Sequence, residues 1–150
     1  MKLSDNFTLE EMIRSAKAKA NRIDNFPQNL RIINSLDNLA KNVLQPARDI
    51  YGKRIDIGSG FRCEALNALL KGAKNSQHTR GEAADLDCKN NKQLFEIIRD
   101  NCPFDQLIWE FGDDFEPAWV HVSFVSASEN RHRMLRAVKI DGKTKYNEVS

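Results

Sequence analysis

The chain has 150 residues, of which 41% are hydrophobic and 29% are charged, with a formal net charge of +2. This composition is ordinary for a soluble globular protein, and the length fits one domain, which we place over residues 1–150. The charge alone excludes neither nucleic acid nor an anionic polymer, but the chain has no basic stripe with interleaved aromatic residues, so we expect no nucleic-acid partner.

The N-terminus and the cysteines indicate the compartment in which the chain folds. The first six residues lack the apolar core of a signal peptide, and no apolar run approaches transmembrane length. Cys63, Cys88 and Cys102 show no CxxC or zinc-finger spacing, so we expect free thiols rather than a disulfide framework. We therefore expect cytoplasmic synthesis without a signal peptide and no membrane partner. We also expect a monomer, although neither observation determines the oligomeric state.

The first fifty residues have helical patterns and no candidate chemistry. A capping box that begins at Thr8 predicts a short helix to about Ala20. After Phe26-Pro27, apolar residues recur at three- and four-residue steps as far as Tyr51, which predicts a longer helix whose apolar stripe covers a sheet. Because Pro46 cannot donate a backbone hydrogen bond, we expect a kink or break just before it.

The rest of the chain alternates predicted strands with short helices. Asp141-Gly142 lies between two short extended stretches, which predicts a β-hairpin near the end of the sequence. The strands before and after residues 112–118 should also pair as a hairpin. Helices first and a small, mostly antiparallel sheet afterwards indicate an α+β fold. The predicted strands are residues 54–60, 83–88, 104–111 and 119–124, and the predicted helices are residues 64–70 and 91–101.

His78 and Asp85 are candidate metal ligands. They lie seven residues apart with a glycine turn between them, and an imidazole with a carboxylate suits Zn²⁺. His121 is the best candidate for a third ligand, because strand alternation places it on one face with Trp119 and Ser123. A lone strand histidine is more often a hydrogen-bonded structural residue, so the pattern by itself leaves both interpretations open.

Several ordered motifs in the chain resemble the zinc D-Ala-D-Ala carboxypeptidase family. That family includes phage L-alanyl-D-glutamate endopeptidases and the D,D-dipeptidases of vancomycin resistance. The resemblance implies a zinc-dependent hydrolase of peptidoglycan stem peptides, with His78, Asp85 and His121 as the zinc ligands. The motifs are Ser59-Gly60-Phe61-Arg62, Leu66-Asn67, Gly72-Ala73-Lys74-Asn75-Ser76-Gln77-His78, Gly81-Glu82-Ala83-Ala84-Asp85, Gln106-Leu107-Ile108-Trp109-Glu110 and Trp119-Val120-His121-Val122-Ser123, with further likeness at Phe7-Thr8-Leu9-Glu10-Glu11 and Leu44-Gln45-Pro46-Ala47-Arg48.

The resemblance also implies residues that contact the substrate. Arg62 matches the arginine that steadies the substrate carbonyl as it becomes an oxyanion. Ser76 matches a serine near the terminal carboxylate of the substrate, and we group the neighbouring Gln77 with it as substrate-binding. The residues alone leave open a structural salt bridge for Arg62 and a turn hydroxyl for Ser76.

The chain departs from the family pattern at the general base. In much of the superfamily an Asp or Glu lies three residues before the last histidine, and that position is Ala118 here. Glu110 is our first candidate for the base, because the predicted hairpin places it beside the strand of His121. Glu116 is the second. If neither residue acts, the chain could be a non-catalytic wall-binding or phage structural protein that retains the metal site.

The resemblance and the missing signal peptide together suggest a phage or prophage lysis enzyme. Such an enzyme would reach the cell wall with the help of a partner such as a holin. The sequence does not separate the D-Ala-D-Ala carboxypeptidase type from the L-Ala-D-Glu endopeptidase type, because that choice depends on the shape of the cleft beyond the metal.

Overall fold

A computed structural model describes all 150 residues and begins with helices. Each of the first three helices starts at a side-chain cap, from Thr8, Ser15 and Asn29 respectively, as short polar residues favour at helix N-termini. The helices of this region are α1 (Leu9–Ile13), α2 (Ala16–Ala20), α3 (Leu30–Leu39) and α4 (Gln45–Tyr51), with a π-helical segment (Ala40–Leu44) between the last two.

The predicted helix from Thr8 to Ala20 is wrong, because the chain is extended at Arg14 and divides into α1 and α2. The backbone carbonyl of Met12 accepts a hydrogen bond of 2.7 Å from the amide of Phe61. The carbonyl of Ile13 accepts one of 2.8 Å from the side-chain amide of Asn25. Partners from distant parts of the chain therefore occupy carbonyls that a continuing helix would use.

The irregularity that Pro46 predicts is present in the long helical segment. The amide of Gln45 donates to the carbonyl of Ala40, five residues earlier, which is the hydrogen bond of a π-helix. Pro46 then lies in the first turn of α4, where its missing N–H is tolerated. The helix runs through the proline with a widened turn rather than a sharp break.

A six-stranded sheet forms the second layer, with the strand order β1-β2-β4-β3-β5-β6. All neighbouring strands are antiparallel except β3 and β5, which are parallel. The α+β prediction is therefore confirmed. The remaining elements are β1 (Asp56–Ser59), α5 (Glu64–Leu69), a 3₁₀ turn (Gln77–Arg80), β2 (Ala83–Asp87), α6 (Asn91–Asn101), β3 (Gln106–Glu110), β4 (Trp119–Ser123), β5 (Arg133–Ile140) and β6 (Lys143–Glu148).

Both predicted hairpins are present. β3 and β4 pair antiparallel with Glu110 opposite Trp119. β5 and β6 join through Asp141 and Gly142, which both have positive φ, 51° and 76°, as a two-residue turn between twisted strands requires. The second hairpin is attached to β3 through β5 and thus extends the sheet on one side.

The main hydrophobic core lies between the helices and one face of the sheet. Leu86, Val120 and Val122 contribute to it from the sheet, and Leu36 and Leu39 contribute from α3. The side chains that alternate with the sheet residues point to the opposite face, because successive strand residues face opposite sides. That opposite face carries the predicted metal ligands of β2 and β4.

The cysteines and the helices bear on two further predictions. Cys63, Cys88 and Cys102 are all free, as the sequence predicts. None of the helices combines the length and the hydrophobicity that a membrane-spanning segment needs.

Candidate metal centre and catalytic cleft

Three elements bring His78, Asp85 and His121 together. Asp85 on β2 and His121 on β4 are direct partners in the antiparallel register, so their side chains share one face of the sheet. His78 lies in the 3₁₀ turn that precedes β2. One ligand atom from each residue lies within 4.8 Å of the others, and the two imidazoles are buried.

The distances between these atoms fit a tetrahedral metal site. Asp85 Oδ1 lies 3.0 Å from His121 Nδ1 and 3.5 Å from His78 Nε2. Metal–ligand bonds of about 2.0–2.1 Å at tetrahedral angles would separate neighbouring ligand atoms by roughly 3.3 Å. The donor set and its spacing therefore suit zinc.

The orientation of His78 is fixed from behind by the backbone. Its Nδ1 lies 2.8 Å from the carbonyl oxygen of Gly60, to which only a protonated Nδ1 can donate. That tautomer leaves the Nε2 lone pair free toward Asp85. Hydrogen bonding of the second imidazole nitrogen to a carbonyl or carboxylate is the usual support of a metal-binding histidine.

Glycines allow the two close backbone approaches around this centre. A Cβ at Gly60 would lie 2.2 Å from the carbonyl oxygen of Met12, so no larger residue fits there without movement. Gly81, between His78 and Asp85, has φ of +73°, and a Cβ on it would lie 2.7 Å from the carbonyl oxygen of Ile32. The glycine turn in the sequence motif is therefore a steric requirement.

Burial and charge set the protonation states of the cluster. Burial lowers the pKa of His78, which favours the neutral imidazole that can bind a metal. Burial alone would raise the pKa of Asp85, but hydrogen bonds and charge interactions with His121 and His78 hold this pKa well below its usual range. The cluster thus presents an ionised carboxylate and a neutral imidazole, the forms that ligate zinc.

Arg62 lies at the edge of the cluster and is held by its neighbours. Its Nε donates to Ser59 Oγ at 2.9 Å, and its Nη1 lies 3.5 Å from Asn67 Oδ1. Its Nη2 lies 3.4 Å from Asp85 Oδ2, the carboxylate oxygen that does not face the histidines. The guanidinium therefore lines the cleft beside the metal centre in a constrained orientation.

Ser76 and Gln77 line the same cleft and also make contacts within the protein. The Ser76 hydroxyl accepts a 3.2 Å hydrogen bond from the amide of His78 at the start of the 3₁₀ turn. The Gln77 side chain donates to Asp105 Oδ2 at 3.0 Å. Both residues therefore help to position the turn that carries His78.

The two glutamates considered for the general base lie in different places. Glu110 lines the cleft with the three ligands, is 6% exposed, and makes no hydrogen bond that would stabilise its charged form. Burial raises the pKa of Glu110 to about 7. Glu116 instead accepts a 2.8 Å hydrogen bond from the amide of Asn91 at the start of α6, and it does not line the cleft.

Comparison with known families agrees with this geometry. A family model described as peptidase M15 matches residues 5–123. The chain belongs to the peptidase M15 family. Peptidases of this family depend on zinc, so the protein is a zinc metallopeptidase, and the cluster of His78, Asp85 and His121 can hold the ion. No curated protein matches the chain.

The sequence analysis missed Asp105, which supports the cleft from below the surface. Asp105 is 1% exposed and accepts hydrogen bonds from the Arg131 side chain at 2.9 and 2.6 Å, besides the one from Gln77. Hydrogen bonds from Arg131 are the main reason that the pKa of Asp105 lies below its usual value. Neither spacing nor periodicity marks this residue, because its partners are 26 and 28 residues away.

Proposed function

We propose that the protein hydrolyses a peptide bond in peptidoglycan stem peptides, as a D-Ala-D-Ala carboxypeptidase or an L-Ala-D-Glu endopeptidase. Membership of the peptidase M15 family supports this substrate class. The observation that carries the proposal is the buried carboxylate of Glu110, which lines the same cleft as the three candidate ligands. A merely structural metal site has no need of a carboxyl group with a raised pKa beside it.

His78, Asp85 and His121 would hold the zinc ion in this enzyme. Three protein ligands are typical of catalytic zinc sites, which keep one coordination position open. Zinc bound there would supply a Lewis acid that polarises the scissile carbonyl and makes a water molecule acidic near neutral pH.

Glu110 would act as the general base. A base is most effective when its pKa lies near the working pH, and burial raises the pKa of Glu110 to about 7. Its carboxylate would take a proton from the attacking water and later give it to the departing amine. Glu110 would thus supply the general base that Ala118 cannot provide, at the position where much of the superfamily has an acidic residue.

Arg62 would stabilise the negative charge that develops on the carbonyl oxygen. Its guanidinium is held by Ser59 and Asn67, so little reorganisation is needed when the charge appears. Ser76 and Gln77 would contact the substrate from the start of the turn that carries His78, which also lines the cleft.

The direct test combines metal analysis with turnover. Glu110→Gln keeps the size of the side chain but cannot accept the proton, so we expect one zinc per chain and a large loss of stem-peptide hydrolysis. Glu116→Gln is the matched control and should keep both. Hydrolysis by Glu110→Gln with loss in Glu116→Gln would move the base to Glu116. Mass spectrometry of the released fragments would identify the bond that is cut.

Two further parts of the proposal concern the state in which the enzyme works. We propose a monomer with a single zinc peptidase domain over residues 1–150, which light scattering would test directly. We also propose that it reaches the wall by a phage-type release. Expression in a bacterial host should then cause lysis only when a holin is co-expressed, and lysis without a holin would contradict this route.

A further inference from the structure

The β5–β6 hairpin lies outside the residues that match the peptidase family, yet it forms one wall of the metal cleft. The match ends at residue 123, whereas the hairpin covers residues 133–148. Through the parallel pairing of β3 with β5, the hairpin extends the same sheet that carries Asp85, His121 and Glu110. The wall is therefore a feature of this chain in addition to the matched family domain.

The strand register aligns Tyr146 with Glu110 across the sheet. Glu110 on β3 is paired with Ala137 on β5, and Ala137 is paired with Tyr146 on β6. Residues paired in this way point to the same face, so all three belong to the cleft side. Tyr146 indeed lines the same cleft as the three candidate ligands.

Ala137 makes room between the tyrosine and the glutamate. Its methyl group is small and fully buried, so no side chain stands between the ring of Tyr146 and Glu110 along this row. Ile108, Leu135 and Ala137 form a small apolar cluster, packed against Phe111, that is separate from the main core. This cluster, on β3 and β5, is an apolar floor between the metal ligands and β6.

The phenol of Tyr146 remains available to a ligand. The residue is 53% exposed and its hydroxyl makes no hydrogen bond within the protein that affects its ionisation. Partial burial and the negative charges of Glu110 and Asp85 raise the pKa of this phenol, so it stays protonated and can donate a hydrogen bond.

We propose that Tyr146 is a substrate-binding residue whose hydroxyl donates a hydrogen bond to a carbonyl oxygen of the peptide that lies across Ala137. An aromatic ring with a polar tip at the edge of an apolar floor suits a peptide chain, which offers carbonyl groups and small side chains together. This inference rests on the proposed function, because it assumes that a stem peptide occupies the cleft.

The test removes only the hydroxyl. Tyr146→Phe should raise KM for a synthetic stem peptide and lower kcat/KM about three- to tenfold. The value of kcat should not change, because the lost hydrogen bond is made equally in the bound substrate and in the transition state. Zinc content and the thermal midpoint should also stay unchanged. Asn147→Ala is the matched control. Asn147 is the next residue on the same strand, faces the other side of the sheet, and should leave both constants unchanged.

A binding measurement provides an independent readout. On a Glu110→Gln background, which is expected to bind peptide without cleaving it, calorimetry should show weaker binding of the stem peptide when Tyr146→Phe is added. Hydrolysis by the wild type with unchanged kinetics and binding in Tyr146→Phe would refute the inference alone. A zinc-loaded wild type that cleaves no stem peptide would refute the proposed function, and this inference with it.

Discussion

The buried carboxyl group of Glu110 should make the metal-free protein less stable as the pH rises. Folding raises the pKa of this group from an ordinary value of 4.5 to about 7, because the charged form loses its hydration in the cleft. The folded state therefore binds the proton more tightly than the unfolded state does. This contribution to stability is fully present below pH 4.5 and is lost as the pH rises through about 7.

The magnitude follows from the two pKa values. Each pKa unit corresponds to 1.36 kcal/mol, so the contribution lost between pH 4.5 and pH 8 is about 3 kcal/mol. Glu110→Gln replaces the carboxyl group by a neutral amide of the same shape and removes this loss. We therefore expect the free energy of unfolding of the variant to rise relative to that of the wild type, by up to about 3 kcal/mol, as the pH goes from 5 to 8.

The assay is urea denaturation of both proteins at several pH values, with a chelator present to keep them metal-free, and it measures the free energy of unfolding. Ionisable groups that do not interact with Glu110 titrate alike in the two proteins, so their contributions cancel in the difference between the two free energies of unfolding. A difference that stays constant from pH 5 to pH 8 would refute the reasoning. It would mean that water or a neighbouring group stabilises the Glu110 carboxylate in the folded state.

Three other substitutions test the centre and its support. His78→Ala should abolish both zinc binding and hydrolysis, and a variant that still holds one tight zinc ion would refute the ligand assignment. Gly60→Ala should lower stability by about 1–3 kcal/mol in thermal denaturation, because the new Cβ would lie 2.2 Å from the Met12 carbonyl oxygen. Arg131→Met should lower the free energy of unfolding by about 1–3 kcal/mol at pH 7, because the buried carboxylate of Asp105 loses its hydrogen bonds from the Arg131 side chain. Because the pKa of Asp105 is lowered in the fold, that cost should disappear as the pH falls below about 4, and a cost independent of pH would contradict this account.

Local patterns predicted the features whose geometry is set by a short repeat. Alternation over Trp119–Phe124 was enough to assign His121 to the face opposite Val120 and Val122, because strand side chains alternate strictly. The Asp141-Gly142 pair was enough to predict a hairpin, because the turn demands positive φ at both positions. In each case a few neighbouring residues determine the outcome.

Features that depend on distant partners could not be predicted in this way. The break between α1 and α2 depends on hydrogen bonds from Asn25 and Phe61 to carbonyl groups of the first helix. Asp105 was missed for the same reason. The neighbourhood of Tyr146 and Glu110 requires the parallel pairing of β3 with β5, and no turn sequence encodes a pairing between strands that are so far apart along the chain.

The placement of the cleft on the open face of the sheet has a physical reason. Glu110, Asp85 and the two histidines are ionisable, and burying them against the helices would cost several kcal/mol for each uncompensated charge. On the face opposite the helices the strand register aligns Asp85 with His121, and the turn before β2 adds His78, while solvent still reaches the cleft. The β5–β6 hairpin then shields this face only partly, through Ala137 and its apolar neighbours. That partial shielding leaves Glu110 buried enough for its pKa to lie near 7 and the cleft open enough for a peptide to enter.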